Sequence, residues 1–204
     1  MKDAASELQH LLCKSIKLHM RSDVPVGACL SGGMDSSAIV SIGSKFLKDN
    51  QPFNTFTTHY PSYPNIDETK WAQKLIDHTQ ARAYFVEPTF EQFMSDFDRL
   101  LYMQDEPYGS TSIFAQYMVF NKIATTDVKV VLDGQGSDEQ LAGYHGFLET
   151  FLNSLLMQNR FCSFMSEGYH LKKRHGINLK INYRSIIKQL PYSLFQTTPR
   201  VYSD

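Results

Sequence analysis

Two hydrophobic periodicities alternate along the chain and predict its secondary structure. Apolar residues recur at helical spacing from Ala5 to Met20 and again from Ser112 to Ala124. Short apolar, β-branched or aromatic runs predict strands at residues 24–30, 53–60, 83–86 and 128–132. Strands that alternate with helices predict an α/β fold built on a doubly wound parallel sheet, with ligands bound beyond the carboxyl ends of the strands. The nearly uninterrupted apolar run at 128–132 predicts a strand buried on both faces.

Local signals add detail to this pattern. Asp67 is predicted to cap the helix that contains Trp71 and Ile76, and Thr89 to Gln92 form a capping-box pattern. The helix after that box has an apolar stripe, for which we predict core packing: Phe90, Phe93, Met94, Phe97, Leu100 and Leu101. Beyond Tyr144, helical patterns at 147–157 and 181–190 are joined by a basic turn at 172–175, which we interpret as solvated.

The loop after the first strand, Ser31-Gly32-Gly33-Met34-Asp35-Ser36-Ser37, has the composition of a phosphate cradle. Two glycines allow a sharp turn and a close backbone approach, and the next helix begins with amides free to bind an anion. Because Asp35 would repel a bare phosphate, its presence favours a polyphosphate bound with Mg²⁺. The loop lacks the lysine of a Walker motif and the three spaced glycines of a dinucleotide motif. The alternative is an ordinary Gly-Gly turn with a serine cap.

A second glycine-rich loop, Asp133-Gly134-Gln135-Gly136-Ser137-Asp138-Glu139, follows the strand at 128–132. It contains three carboxylates, and its position after a predicted buried strand favours a functional site over a solvated acidic turn, which remains the alternative. We expect both loops to face one crevice. There Asp35 and Asp138 would hold Mg²⁺ together.

Composition excludes several classes of function. A formal net charge of −1 with scattered basic residues argues against nucleic-acid binding. Cys13, Cys29 and Cys162 are far apart and odd in number, which is typical of cytosolic thiols and not of a disulfide framework. No apolar run is long enough to cross a bilayer, so we expect no membrane association and a cytoplasmic location. A homodimer is left open.

The first loop resembles the Ser-Gly-Gly-x-Asp-Ser loop of the ATP pyrophosphatases. Together with Asp105-Glu106-Pro107 and the stretch Asp133 to Tyr144, it resembles the synthetase domain of glutamine-hydrolysing asparagine synthetases and their β-lactam synthetase relatives. The resemblance runs from about Leu8 to Tyr144. It implies an ATP pyrophosphatase fold and an enzyme that activates aspartate or a related carboxylate as an acyl-adenylate, releasing pyrophosphate. Ammonia would then displace AMP and leave an amide.

The resemblance also implies roles for individual residues. Asp35 and Asp138 fall at magnesium-binding positions, and Glu139 and Tyr144 fall where the family lines the reacting centre. Tyr144 is alternatively a packed aromatic at a helix edge. ATP contacts are implied for Leu30, Ser31, Gly32, Gly33, Met34, Asp35, Ser36, Ser37, Thr58 and Gly134, where Leu30, Thr58 and Gly134 correspond to contacts made largely through backbone.

Gln135 departs from the family, whose relatives carry an acidic residue there that takes a proton from the attacking ammonia. A glutamine amide cannot accept it. Either the chemistry is lost, or Asp133 at the end of the same strand has become the base and Gln135 orients the intermediate; we favour the second interpretation.

The N-terminal glutaminase cysteine of complete members is also absent, since Met1 is followed by Lys2. We therefore expect a piece of a longer enzyme, with a pyrophosphatase core at 1–147, an incomplete helical continuation at 148–204, and a glutaminase domain in the parent protein. Alternative functions are another adenylating ATP pyrophosphatase and a non-catalytic nucleotide-binding module.

Overall fold

The computed structural model describes residues 2–47 and 51–176, which divide into two compact units between Gln135 and Gly136. The first unit has five α-helices and four strands in its described residues. In chain order they are α1 (Lys2–His19), β1 (Val26–Cys29), α2 (Met34–Gly43), β2 (Asn54–Thr58), α3 (Thr69–Thr79), β3 (Arg82–Val86), α4 (Phe90–Gln104), α5 (Ser112–Ala124) and β4 (Val130–Leu132). A short 3₁₀ turn, Ser44–Phe46, follows α2.

The described strands form one parallel sheet in the order β3-β2-β1-β4. In the register of β1 with its two neighbours, Ala28 lies beside Thr55 of β2 on one side and beside Leu132 of β4 on the other. The chain leaves β1 for β2 and β3 in one direction, and then returns through α4 and α5 to place β4 on the other side of β1. The point where the strand order reverses therefore lies between β1 and β4, and the α/β prediction is confirmed.

Helices cover both faces of this sheet. On one face, Val40 of α2 and Ala72 and Ile76 of α3 pack with the inward side chains of β1, Val26 and Ala28. On the other face, Val119 and Ile123 of α5 pack against Phe56 and Val128. Phe56 also stacks on Tyr84 with ring centroids 5.0 Å apart. Because both faces are buried, the carboxyl edge of the sheet is the place where the chain exposes polar loops.

The α4 stripe corrects one prediction. The capping box forms as expected, with the Gln92 amide donating to Thr89 Oγ1 and the Thr89 amide donating to Gln92 Oε1. Leu100 is buried and Phe93 packs edge-on against Phe114 of α5 at 5.2 Å. Core packing was wrong for Phe90, Met94 and Phe97, which are exposed because α5, the main packing partner of α4, covers only part of the stripe.

The strand at 128–132 is also less buried than predicted. Only Val130–Leu132 form β4, which pairs with β1 alone and is an edge strand among the described residues. Val130 is consequently exposed, although Val128, just before the strand, is fully buried under α5.

The second unit, described by itself, contains α6 (Ser137–Leu141), α7 (His145–Met157) and α8 (Phe161–His175). Helices α7 and α8 pack through Leu152, Leu155 and Phe164. The predicted basic turn at 172–175 is wrong, because these residues form the last turn of α8. The predicted helix at 181–190 lies outside the described residues. Across the two described ranges, no helix combines the length and the apolar character needed to cross a membrane.

Candidate functional site

The first glycine-rich loop begins directly after β1, at the point where the strand order reverses. Its hydroxyl groups hold it in shape: Ser36 Oγ donates to the Gly33 carbonyl at 3.3 Å and accepts from the Ser31 amide at 3.3 Å. The Gly33 amide in turn donates to Ser31 Oγ at 3.2 Å. Ser36 is buried, and its hydroxyl stabilises the loop through these bonds. Ligand binding is therefore left to the backbone amides.

These amides belong to the first turn of α2. Helix α2 starts at Met34 without a side-chain cap, and its first intrahelical bond runs from the Ser37 amide to the Gly33 carbonyl at 3.1 Å. The amides of Met34, Asp35 and Ser36 therefore have no intrahelical acceptor. Such a turn at the positive end of a ten-residue helix is suited to an anion.

Gly32 is required by the shape of the loop. Its φ of +87° is in the left-handed region, and a Cβ there would lie 2.9 Å from the Glu68 carbonyl oxygen and 3.1 Å from the Ala72 amide nitrogen. The start of α3 therefore presses directly on the loop. The Cβ of Trp71, the only tryptophan in the sequence, is equally close to this position, so Trp71 is a natural reporter of events in the loop.

The second loop meets the first at Gly134. A Cβ added to Gly134 would lie 3.0 Å from the Ser36 amide nitrogen and 3.2 Å from Asp35 Cβ. Glycine is the residue type that permits this approach, because any side chain would push the loop away from the first turn of α2. The predicted meeting of the two loops thus occurs between Gly134 and the pair Asp35 and Ser36.

Asp133 and Cys29 lie side by side next to this contact. The parallel register pairs Ala28 with Leu132, so the following residues, Cys29 and Asp133, are neighbours at the carboxyl ends of β1 and β4. Burial of the thiol, followed by the charge of Asp133 and a hydrogen bond to it, raises the pKa of Cys29 to about 12. The thiol is therefore a neutral partner of the carboxylate. Asp133 Oδ1 also accepts from the Gln135 amide at 3.2 Å.

Leu30 and Thr58 lie at the ends of the two central strands. The Leu30 side chain is buried in the core, and its amide donates to the Phe56 carbonyl at 2.8 Å. Its backbone carbonyl is therefore the group available to a ligand at the carboxyl edge of the sheet. Thr58 is the last residue of β2. The side chain of Met34 is exposed.

Three candidate residues, Asp138, Glu139 and Tyr144, belong to the second unit. Asp138 and Glu139 lie in the first turn of α6, and both are exposed. The Tyr144 hydroxyl donates to Glu139 Oε1 at 3.1 Å. This bond, together with the charge of Glu139, raises the pKa of Tyr144. Tyr144 is half exposed and its ring contacts Phe147 at 5.7 Å, so it both binds a carboxylate and packs at a helix edge.

Asp35, in the anion-binding turn of the first unit, and Asp138, in α6 of the second unit, each offer carboxylate oxygens, the kind of ligand that Mg²⁺ prefers. Within residues 2–47 and 51–176, no three His, Cys, Asp or Glu side chains converge as a metal cluster.

Sequence analysis missed two groups near the site. The sequence placed Cys29 in the first strand but did not predict its contact with Asp133. That contact follows once β1 is paired with β4. Asp67 was expected to cap α3, but the cap position is Glu68, which makes no side-chain cap bond. The Asp67 carboxylate, one residue earlier, accepts from the Thr69 amide at 2.8 Å and also from the Tyr60 amide at 3.3 Å. No local pattern shows this second bond, because it depends on the path of the connecting loop.

Comparison with known proteins gives consistent matches. The family model described as asparagine synthase matches residues 7–192. A putative glutamine-hydrolysing asparagine synthetase 2 of Methanocaldococcus jannaschii is 36% identical over 161 residues, covering 76% of this chain and 30% of the relative. Asparagine synthetase B of Escherichia coli is 32% identical over 150 residues, covering 68% of this chain and 27% of that protein. The chain thus spans less than a third of the length of these relatives.

Among solved structures, the ammonia-dependent NAD synthetase of Campylobacter jejuni in complex with a nitrate ion aligns with a TM-score of 0.46 and 19% identity. The alignment covers 68% of this chain and 60% of that one.

The contact between Cys29 and Asp133 predicts a change in thiol reactivity. The thiolate is the reactive form, and the raised pKa keeps Cys29 almost fully protonated at mildly alkaline pH. Asp133→Asn removes the carboxylate charge that disfavours the thiolate. The pKa of Cys29 should then fall while burial keeps it above its ordinary value, and alkylation by iodoacetamide should become several-fold faster.

Peptide mass spectrometry distinguishes Cys29 from Cys13 and Cys162 in this assay. Asp127→Asn is the matched control, since Asp127 is an exposed carboxylate at the other end of β4. Equal Cys29 rates in both variants would contradict the contact.

Proposed function

Because the chain belongs to the asparagine synthase family, we propose that it activates a carboxylate with Mg-ATP and forms an amide through an acyl-adenylate. The observation that best supports this proposal is the contact of Gly134 with the first turn of α2. This contact brings the anion-binding turn next to the loop that begins with the carboxylate of Asp133. Aspartate is the proposed substrate, as the names of the relatives suggest.

In the proposed nucleotide site, the amides of Met34, Asp35 and Ser36 bind the phosphates that leave as pyrophosphate. The strand ends at Leu30 and Thr58, together with Gly134, contact the nucleoside through backbone groups. Asp35 and Asp138 are the proposed holders of Mg²⁺, which supplies charge neutralisation on the leaving pyrophosphate.

The proposed reaction has two steps. A substrate carboxylate oxygen attacks the α-phosphorus of ATP, the bond to the β-phosphate oxygen breaks, and pyrophosphate leaves. Ammonia then attacks the carbonyl carbon of the acyl-adenylate and AMP leaves. Asp133 takes the proton that the nitrogen must lose, Gln135 orients the intermediate, and Glu139 with Tyr144 lines the reacting centre.

We propose that ammonia comes from a glutaminase domain of a longer, cytoplasmic parent protein. The support for this is that the chain spans less than a third of relatives named as glutamine-hydrolysing enzymes. The isolated chain is therefore proposed to bind Mg-ATP, and full amide formation is assigned to the parent.

Gly134→Ala tests the observation on which the proposal rests. The new methyl group would approach the Ser36 amide nitrogen to 3.0 Å, so the second loop must shift away from the anion-binding turn. A hydrogen bond to a charged group contributes about 1.5–3 kcal/mol, so losing one should weaken Mg-ATP binding at least tenfold. Calorimetry and Trp71 fluorescence measure this affinity on the chain itself.

Gly109→Ala is the matched control, because a Cβ there meets nothing within 4 Å. Thermal unfolding of both variants shows whether the fold is retained. An unchanged affinity in a folded Gly134→Ala variant would refute the proposed site.

Asp133→Asn in the parent protein tests the reaction. Adenylation, measured as aspartate-dependent pyrophosphate exchange, should be retained because it requires no proton transfer to Asp133. Amide formation should fall by about a hundred- to ten-thousandfold, the usual contribution of a general base. Unchanged amide formation would exclude Asp133 as the base. Absence of exchange with any carboxylate in the wild type would favour a nucleotide-binding module without catalysis.

A further inference from the structure

Asp67 joins two segments that border the proposed nucleotide site. Its Oδ2 accepts from the amide of Tyr60, two residues after β2 ends. Its Oδ1 accepts from both the amide and the hydroxyl of Thr69, the first residue of α3, with an amide distance of 2.8 Å. One carboxylate thus closes the loop between β2 and α3.

On the β2 side, the bond from the Tyr60 amide to Asp67 restrains the segment that follows Thr58. Tyr60 is held by Asp67 through its amide and lies two residues after Thr58, the last residue of β2, on a short stretch of backbone. The adjacent His59 amide donates to the Val86 carbonyl at 2.9 Å, which keeps this segment in line with the sheet. The position of Thr58 therefore depends on where Tyr60 is fixed.

On the α3 side, the bonds to Thr69 restrain the helix turn that packs against the first glycine-rich loop. The residues next to Thr69 are those that leave no room for a side chain at Gly32: the Glu68 carbonyl, the Ala72 amide and Trp71 Cβ all lie 2.9–3.1 Å from a Cβ built there. The first turn of α3 thus packs directly against the loop at Gly32. Because Asp67 is bonded to Thr69, it fixes the position of that turn.

We propose that Asp67 is a positioning residue that fixes Thr58 and the first turn of α3, which packs against Gly32, in one arrangement. The nucleoside and phosphate contacts are then in place together before ATP binds. This inference rests on the proposed function. It differs from an ordinary cap, because a cap needs only the bonds to Thr69, whereas the proposed role also needs the bond to Tyr60.

The same three donors explain the ionisation of Asp67. Hydrogen bonds from the Thr69 hydroxyl, then from the Thr69 and Tyr60 amides, lower the pKa of Asp67. Each of these bonds favours the charged form, so both carboxylate oxygens are acceptors at neutral pH.

Asp67→Asn separates the two roles. Asparagine is as good a helix cap as aspartate, and its single carbonyl oxygen will turn to the two donors of Thr69. Its NH₂ group then faces the Tyr60 amide and cannot accept from it. A capping role predicts wild-type behaviour for this variant, whereas the positioning role predicts that Asp67→Asn loses about as much affinity as Asp67→Ala.

The experiment measures three quantities on the chain: thermal stability, the hydrogen exchange of the 59–69 segment without ligand, and the affinity for Mg-ATP reported by Trp71. We expect Asp67→Asn to keep wild-type stability, to exchange faster near Tyr60 and to bind Mg-ATP about tenfold more weakly. Asp77→Asn is the matched control, since Asp77 lies within α3 and its carboxylate accepts from the Gln73 side chain, away from the loop between β2 and α3.

Wild-type affinity in Asp67→Asn, with Mg-ATP bound normally by the unmodified chain, would overturn the positioning role and leave the proposed function standing. Failure of the unmodified chain to bind Mg-ATP would overturn both. Unchanged exchange near Tyr60 would show that the second bond is absent and would likewise overturn the inference.

Discussion

The close approach of two backbone segments at Gly134 is the constraint on which the site depends. A Cβ on Gly134 would lie 3.0 Å from the amide nitrogen of Ser36, closer than an ordinary van der Waals contact. This contact is possible because β1 and β4 are hydrogen-bonded neighbours whose carboxyl ends lie together. Open α/β sheets bind their ligands at the point where the strand order reverses, and in this sheet that point lies between β1 and β4.

The parts of the structure that sequence analysis predicted correctly are those with local signals. Helix α5 has the predicted bounds, Ser112–Ala124, because its apolar spacing is regular. The Thr89 capping box forms because both of its hydrogen bonds span three residues. The first loop is recognisable because consecutive glycines after an apolar strand are needed for a turn that exposes backbone amides.

The missed features depend on contacts between distant segments. Exposure of Phe90 and Met94 depends on how much of α4 is covered by α5, which periodicity alone does not determine. Helix α8 was missed because charged residues and Gly168 interrupt its apolar spacing, while its burial comes from packing of Phe164 on α7. The second bond of Asp67 and the contact of Cys29 with Asp133 likewise join residues that only the fold brings together.

The central claim is that one Mg-ATP molecule is held by the first loop together with the start of the second, residues 133–135. Hydrogen–deuterium exchange of the chain with and without Mg-ATP measures this most directly, because it follows the amides of residues 33–37 and 133–135 in a single experiment. The account predicts that Mg-ATP slows exchange in both segments together, and that ATP without Mg²⁺ does so much less. Protection of one segment alone, or equal protection without the metal, would contradict it.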